Sequence, residues 1–277
     1  MIQDIEPSKL KNEYLPVEAK EGEALFLFNG EGKVLLGNEG ERMLFPKVGK
    51  LQGIGQTIYL FSIDEIRFFL ALEHEDIALE GYAYYSIREV RDHFAGKEVF
   101  AAFTAYHLWR WYADNRYCGR CAEHLVPDAK ERALRCPKCG NVIYPRINPA
   151  VIVGVIKGDC LLLTKYRTGY GHNALVAGFT EIGETLEGTV AREVMEETGV
   201  KVKNIRYYKS QPWGMAQDIL TGFYCEADGD GEIRMDENEL KYAQWVKRED
   251  IVLQPNNLSL TNEMMKRFKD GEIKAQG

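Results

Sequence analysis

No apolar run in this chain approaches the roughly 18 residues that a membrane-spanning helix needs; the purest, Ala150 to Ile156, has seven. The opening Met1-Ile-Gln-Asp-Ile-Glu-Pro-Ser-Lys9 lacks the basic and apolar regions of a secretory signal, and the closing Lys274-Ala-Gln-Gly277 is no peroxisomal address. A cytoplasmic protein without membrane attachment is therefore expected. Basic charge is not in excess either, since 35 Lys and Arg stand against 42 Asp and Glu, leaving −7. That balance argues against a general nucleic-acid or anionic-membrane binder while leaving room for a local basic site. Internal repeats and low-complexity linkers are missing. Cysteines are few, six in all, and four of them fall in two Cys-x-x-Cys pairs. In a chain without a secretion signal this points to metal rather than disulfides. Cys160 and Cys225 lie singly in apolar strand-like runs and are read as core packing. The 277 residues, 45% hydrophobic and 11% aromatic, suffice for one large or two ordinary domains with filled cores.

The stretch that declares a chemistry is Gly178 to Val200. It begins as loop, punctuated by Gly178 and Gly183, and becomes helix from about Leu186. Leu186, Val190 and Val194 form one apolar stripe, Thr185 is placed to cap the N-terminus, and Gly199 stands where a helix ends in a left-handed residue. On that helix Glu193, Glu196 and Glu197 are three and four residues apart, so all three carboxylates are expected on neighbouring surface within one turn. Like charges so spaced oppose the helix by about 0.2–0.5 kcal/mol per pair. A divalent cation reverses that sign, and Mg²⁺ and Mn²⁺ favour carboxylate oxygens, several waters and substrate phosphate. Read in full, the stretch is G-x5-E-x7-R-E-U-x-E-E-x-G-U, with U aliphatic, and it meets all nine defined positions over 23 residues. It resembles the Nudix box, which implies hydrolysis of a nucleoside diphosphate linked to another moiety. The resemblance assigns Glu193 and Glu197 to metal binding and Glu196 to metal binding or water activation. Arg192 is expected to brace the box, pointing off the carboxylate-rich face.

Residues 1–96 read as an N-terminal, mainly-β domain: Ala24 to Phe28, Lys33 to Leu36 and Thr57 to Phe61 are strand-like. Arg88, in Tyr84-Tyr-Ser-Ile-Arg88, reads as a surface strand residue. From Lys97 to about Arg116 the apolar residues keep helical spacing without Gly or Pro, giving a connecting helix. It runs into Cys118-Gly-Arg-Cys121 and, after fourteen residues, Cys136-Pro-Lys-Cys139. Two such knuckles can supply a closed Cys₄ site, so one structural Zn²⁺ per chain is expected in a module spanning 97–148. Between Arg116 and Arg146, seven basic residues face three acidic ones, a pattern that suits nucleic acid, a nearby phosphate pocket or a solubilising surface alike. The catalytic domain, 149–277, opens with Ala150 to Ile156 and Cys160 to Thr164 as paired strands, continues with strands at 202–210 and 219–226, and closes with a helix at 258–268. Strands alternating with helices predict an α/β/α sandwich around a mixed sheet, which is also the fold the resemblance implies.

The ribbon before the catalytic domain, Ser210-Gln-Pro-Trp213 after the box, and Asn238-Glu-Leu240 before Trp245 together resemble the NADH pyrophosphatases, which also act as NAD-capped RNA hydrolases. The likeness runs from about Arg88 to the C-terminus. It implies cleavage of NAD(H) to nicotinamide mononucleotide and AMP by a homodimer using Mg²⁺ or Mn²⁺. Position by position it assigns Glu239 and the backbone of Ala177 to metal binding. It assigns Arg88, Glu131, Tyr144, Gln211, Pro212, Trp213 and Thr261 to substrate, and Phe179 to stacking on the nicotinamide end. Tyr144 is implied to reach the neighbouring subunit's pocket, whereas position alone favours packing within its own chain. Two departures stand out: Thr261 where better-known members have alanine, and Gly214-Met-Ala216 where the family has Pro-Phe-Pro. The second removes an aromatic stacking face, worth about 1–3 kcal/mol by analogy with bases. Other readings are a Nudix hydrolase of ADP-ribose or a dinucleoside polyphosphate, and, more remotely, a non-enzymatic zinc-ribbon regulator.

Overall fold

The computed structural model describes residues 1–40, 42–168 and 171–275 and divides into two compact units, one of residues 3–146 with 213–217, the other of 1–2, 147–212 and 218–277. In the first unit come ten short strands and two helices. The strands are β1 (Leu10–Lys11), β2 (Ala24–Phe26), β3 (Val34–Glu39), β4 (Arg42–Leu44), β5 (Thr57–Ile63), β6 (Ile66–Ala71), β7 (Tyr82–Tyr85), β8 (Val126–Pro127), β9 (Leu134–Arg135) and β10 (Val142–Ile143). They build sheets ordered β1-β5-β6-β2, β4-β3-β7 and β10-β9-β8. Leu25, Leu27, Leu35, Tyr59 and Phe69 close a core between the first two sheets, each side chain contributing about 1.5–3 kcal/mol by leaving water. Helix α2 (Lys97–Asp114) buries Val99, Phe103 and Trp111 of the apolar residues at helical spacing, and Phe100 and Leu108 beside them, while Tyr106 and Trp109 are half-buried.

Arg88 corrects the sequence reading. Ser86 caps helix α1 (Ile87–His93) by accepting from the Glu89 backbone while the Glu89 carboxylate accepts from the Ser86 N–H, so the chain turns helical before Arg88. Arg88 is an exposed first-turn helix residue, not a strand residue.

The second unit is a six-stranded mixed sheet of β11 (Asn148–Lys157), β12 (Cys160–Tyr166), β13 (Val176–Phe179), β14 (Val202–Trp213), β15 (Asp218–Ala227) and β16 (Leu240–Lys247). Its order is β14-β15-β11-β12-β16, with β13 also paired to β11. Strand β11 runs parallel to β15 and antiparallel to β12 and β13. Alternation along β11 decides the layers, because successive side chains leave opposite faces. Val151, Val153 and Val155 pack with Val190 and Val194 of helix α3 (Leu186–Thr198), and Ile152 and Ile156 pack with Leu260, Met264 and Phe268 of helix α4 (Leu260–Lys269). One helix on each face of the sheet makes the expected α/β/α sandwich. Cys225 is buried among the valines as expected, and Cys160 is half-buried at the β11–β12 turn.

Candidate active site

Helix α3 forms as its local signals require. The Thr185 hydroxyl accepts from the Gly188 N–H, and Gly199 ends the helix at φ 71° while its N–H donates to the Met195 carbonyl. Val190 and Val194 anchor one face to the sheet, and this fixes where the opposite carboxylates lie. They are not equivalent: the Glu196 side chain is 58% exposed and that of Glu193 13%, while Glu197 is 2% exposed. The expectation of three surface carboxylates therefore fails for Glu197, because its position also faces the strand carrying Ala177. Glu193 presses on the backbone of the same strand. A Cβ on Gly178 would sit 1.9 Å from the Glu193 carboxyl carbon, so the box glycine is demanded by a close approach.

Arg192 braces the box, yet it does not point away from the carboxylates. Its Nε and Nη2 donate to the two oxygens of Glu184 at 2.6 and 2.9 Å, and its Nη1 donates to Glu193 at 2.8 Å and Glu196 at 2.9 Å. Nη2 also reaches the Phe179 carbonyl at 3.0 Å. The loop from Gly178 folds back over the helix and brings Glu184 to the guanidinium, a long-range event that helical spacing does not contain. These hydrogen bonds hold the Glu184 carboxyl down at about 2. Burial acts the other way on Glu197, pushing it up to about 8 against a hydrogen bond from Tyr166, and burial also raises Glu193. The charge of Glu239, just before β16, adds to the rise at both. So Glu193, Glu197 and Glu239 act on one another's charge, and with the carbonyl of Ala177, whose backbone also hydrogen-bonds Glu197, they offer oxygen donors only. Hard divalent cations suit that donor set.

Phe179 follows on β13 with its ring 53% exposed. Gln211 is fully buried; its amide donates to the Leu258 carbonyl and accepts from the Leu260 N–H, both at 2.7 Å, so it fastens the start of α4. Pro212 is exposed, and Thr261 lies half-buried in the first turn of α4. Arg88, Glu131, Tyr144 and Trp213 belong to the first unit. There Tyr144, 56% exposed, donates its hydroxyl to Glu131 at 2.8 Å. Trp213 packs on Phe103 at 5.2 Å between ring centroids. Gly214 sits so near α2 that a Cβ on it would come 2.0 Å from the Phe103 carbonyl oxygen. The departure from Pro-Phe-Pro thus coincides with a backbone approach that admits no side chain.

In the ribbon, two knuckles repeat one geometry. The Ala122 N–H donates to the Cys118 carbonyl and the Gly140 N–H to that of Cys136, and both donors have left-handed backbones, at φ 60° and 73°. Backbone N–H groups, chiefly of Arg120 and Cys139 respectively, lower the thiols of Cys118 and Cys136. All four sulfurs lie within 4.8 Å of one another, with Cys118 to Cys139 at 3.6 Å and Cys121 to Cys136 at 3.5 Å. Sulfurs held tetrahedrally at about 2.3 Å from one zinc are separated by about 3.8 Å, so the cage fits a structural zinc. Among the described residues no other set of three or more Cys, His or carboxylate side chains is gathered as a metal cage.

Sequence reasoning passed over Tyr166, whose hydroxyl donates to both Glu197 oxygens at 3.2 and 3.3 Å. The available signal was alternation along β12, which sends Tyr166 to the same face as Leu162, toward α3.

Residues 146–268 match the family model of the NUDIX domain, and residues 113–144 match that of the NADH pyrophosphatase zinc ribbon domain. The NAD-capped RNA hydrolases NudC of Escherichia coli O1:K1 / APEC and of Escherichia coli strain SMS-3-5 / SECEC are each 42% identical to this chain over 171 residues, 61% of this chain and 66% of theirs. Among solved structures, a NUDIX hydrolase from Nitrosomonas europaea covers 56% of this chain and 90% of its own, at 22% identity and a TM-score of 0.49. No helix among the described residues is long and apolar enough to cross a membrane. The unit bearing the glutamate helix therefore belongs to the Nudix family, and the cysteine module before it is a zinc ribbon of the NADH pyrophosphatase kind.

Proposed function

We propose that this chain hydrolyses the pyrophosphate of NAD(H) to nicotinamide mononucleotide and AMP, and accepts NAD-capped RNA ends, as a cytoplasmic homodimer requiring Mg²⁺ or Mn²⁺. The observation that carries the reading is the pairing of Glu193 and Glu197 beside Gly178 and Ala177, with Glu239 as a third charge, in a chain that also holds a Cys₄ ribbon. Glu193, Glu197, Glu239 and the Ala177 carbonyl would hold the cation, which when bound supplies neutralising charge for pyrophosphate oxygens and acidifies water. Glu196, the most exposed of the three box carboxylates, takes the proton of the attacking water. Arg192 fixes Glu193 and Glu196 relative to each other, so that little ordering remains for the reaction. Phe179 offers its ring to the nicotinamide end. Gln211 acts by holding the start of α4, and with it Thr261, in place. Arg88, Glu131, Pro212 and Trp213 complete the substrate contacts, and Tyr144 serves the partner's pocket. In domain terms we assign residues 1–96, 97–148 and 149–277 to an N-terminal domain, helix with ribbon, and catalytic domain.

One observation favours a different substrate: Gly214-Met-Ala216 lacks the aromatic of Pro-Phe-Pro, which suits ADP-ribose or a dinucleoside polyphosphate. Chromatography of products from NADH, NAD⁺, ADP-ribose, diadenosine tetraphosphate and NAD-capped RNA with either metal separates the readings. Release of nicotinamide mononucleotide at the highest kcat/KM supports the proposal, and preference for ADP-ribose overturns it.

A further inference from the structure

Tyr166 stands at a place where the ladder is deliberately irregular. Through Lys165, opposite Tyr242, β12 keeps step with β16; at Tyr166 the partner becomes Leu240, so Lys241 is an extra residue in the β16 strand. A bulge of this kind bends the strand and re-aims its side chains. Here it sets Tyr166 across from Leu240 and hence beside Glu239, whose backbone carbonyl accepts from the Arg167 N–H at 3.0 Å. The ring is half-buried and its hydroxyl ends between two groups that the reading above gives to the cation: both oxygens of Glu197, and the Ala177 carbonyl at 3.5 Å. A phenol has one proton to donate, and Glu197, buried at 2% exposure, is held by this hydroxyl together with a backbone hydrogen bond from Ala177.

We propose that Tyr166 is a positioning residue of the metal site, its hydroxyl holding the Glu197 carboxylate in the orientation that receives a divalent cation and so setting the affinity for that cation. Carboxylates that ligate metals are themselves held by hydrogen bonds, and removing such an outer partner typically costs about 10–100-fold in metal affinity. Without the hydroxyl, Glu197 keeps only the Ala177 backbone hydrogen bond and is held less firmly, so the cation must complete its ordering on binding. The inference rests on Glu197 and Ala177 being cation ligands; it does not depend on which dinucleotide is cleaved.

The test is Mn²⁺ binding to the zinc-loaded full chain, followed by the loss of the free Mn²⁺ electron paramagnetic resonance signal. Parent, Tyr166→Phe, Glu197→Gln and the double variant are compared, with thermal melts recorded before Mn²⁺ is added. The phenylalanine variant is expected to melt near the parent and to bind Mn²⁺ about tenfold more weakly. In the Glu197→Gln background the same change is expected to have an effect within about twofold: the amide oxygen can still accept from the hydroxyl, but the anionic ligand that the hydroxyl positions is gone. At saturating metal the substrate KM should stay at the parental value. A structural role alone would lower the melting point, leave Mn²⁺ affinity unaltered, and add independently to Glu197→Gln; that result overturns the proposal. Tyr166→His, whose ring nitrogen stops short of the hydroxyl position, serves with the same two outcomes if the phenylalanine variant does not fold. Parental Mn²⁺ binding without NADH cleavage overturns the function proposed above and leaves this comparison intact.

Discussion

Asp218, the first residue of β15, is 5% exposed, and its Oδ1 is a buried oxygen with no hydrogen-bond partner among the described residues. Burial pushes its carboxyl up to about 7, against a hydrogen bond from Asn148. In the unfolded chain the same group titrates at its ordinary 3.8. Between those two values the folded protein keeps a proton that the unfolded chain has released, so this group's contribution to stability falls as pH rises. It is fully present below about pH 4, is lost progressively toward pH 7, and is gone above. Three pKa units correspond to about 4 kcal/mol. Asp218→Asn removes the titration and keeps the shape. The amide brings a cost of its own, about 1–3 kcal/mol for an unsatisfied buried donor, but that cost does not vary with pH. The difference in stability between variant and parent should therefore shift in the variant's favour by about 4 kcal/mol between pH 4 and pH 8. Paired thermal melts at fixed zinc, taken at several pH values, measure it; about 2–4 °C is expected per kcal/mol for a chain of this size. A difference that stays constant across the range, or runs the other way, refutes the assignment of a buried, protonated Asp218.

Four further outcomes are expected. Glu197→Gln should fold and lose at least about 10² in turnover, the scale of a removed electrostatic contact, whereas Glu187→Gln, exposed in the first turn of α3, should change little; activity within about threefold of the parent for the former would sink the metal assignment. Gly178→Ala must displace the Glu193 carboxylate, and a shift of about 1 Å should cost on the order of 10²-fold in turnover with zinc content unchanged; parental rates would mean that Glu193 acts from another position. Metal analysis should return near one zinc per chain, and Cys136→Ser should lower yield and melting point, while native protein with four alkylatable thiols and no zinc would refute the cage. Mixing a Tyr144→Ala chain with a Glu197→Gln chain should restore activity to about a quarter of the parental level, since random pairing makes half the dimers mixed and each has one intact pocket; no recovery after verified subunit exchange counts against a shared site.

What was legible in the sequence was local. The Thr185 cap, the Val190 and Val194 stripe and the left-handed Gly199 each depend on residues within one or two turns, and both knuckles of the ribbon depend on spacing within four. The α1 start was also there to be read, since Ser86 followed three residues later by Glu89 is a capping box, yet the aromatic run before it suggested a strand that continues to Arg88. Other features needed the tertiary structure. Spacing along α3 puts Arg192 and Glu196 on one surface but says nothing of Glu184, which arrives from the loop; the burial of Glu197 depends on β13, and that of Asp218 on its place beside Asn148 in the parallel pair. The bulge opposite Tyr166 leaves no mark in composition.

The close approach at Gly214 has a consequence for which sequences this chain can reach. A Cβ has one position once the backbone is set, so no choice of rotamer moves it away from the Phe103 carbonyl oxygen at 2.0 Å. Proline or any other residue can enter at 214 only after the backbone of α2 near Phe103, or the turn from Trp213 to Gln217, has moved. Met215 and Ala216 already carry a Cβ, although proline at 216 would give up the N–H that donates to the Trp213 carbonyl at 3.3 Å. A return to Pro-Phe-Pro is thus ordered: the step at 214 is harmful alone and acceptable only behind a permissive change elsewhere, and recombination that swaps the motif without its supporting helix should produce chains that fail to fold.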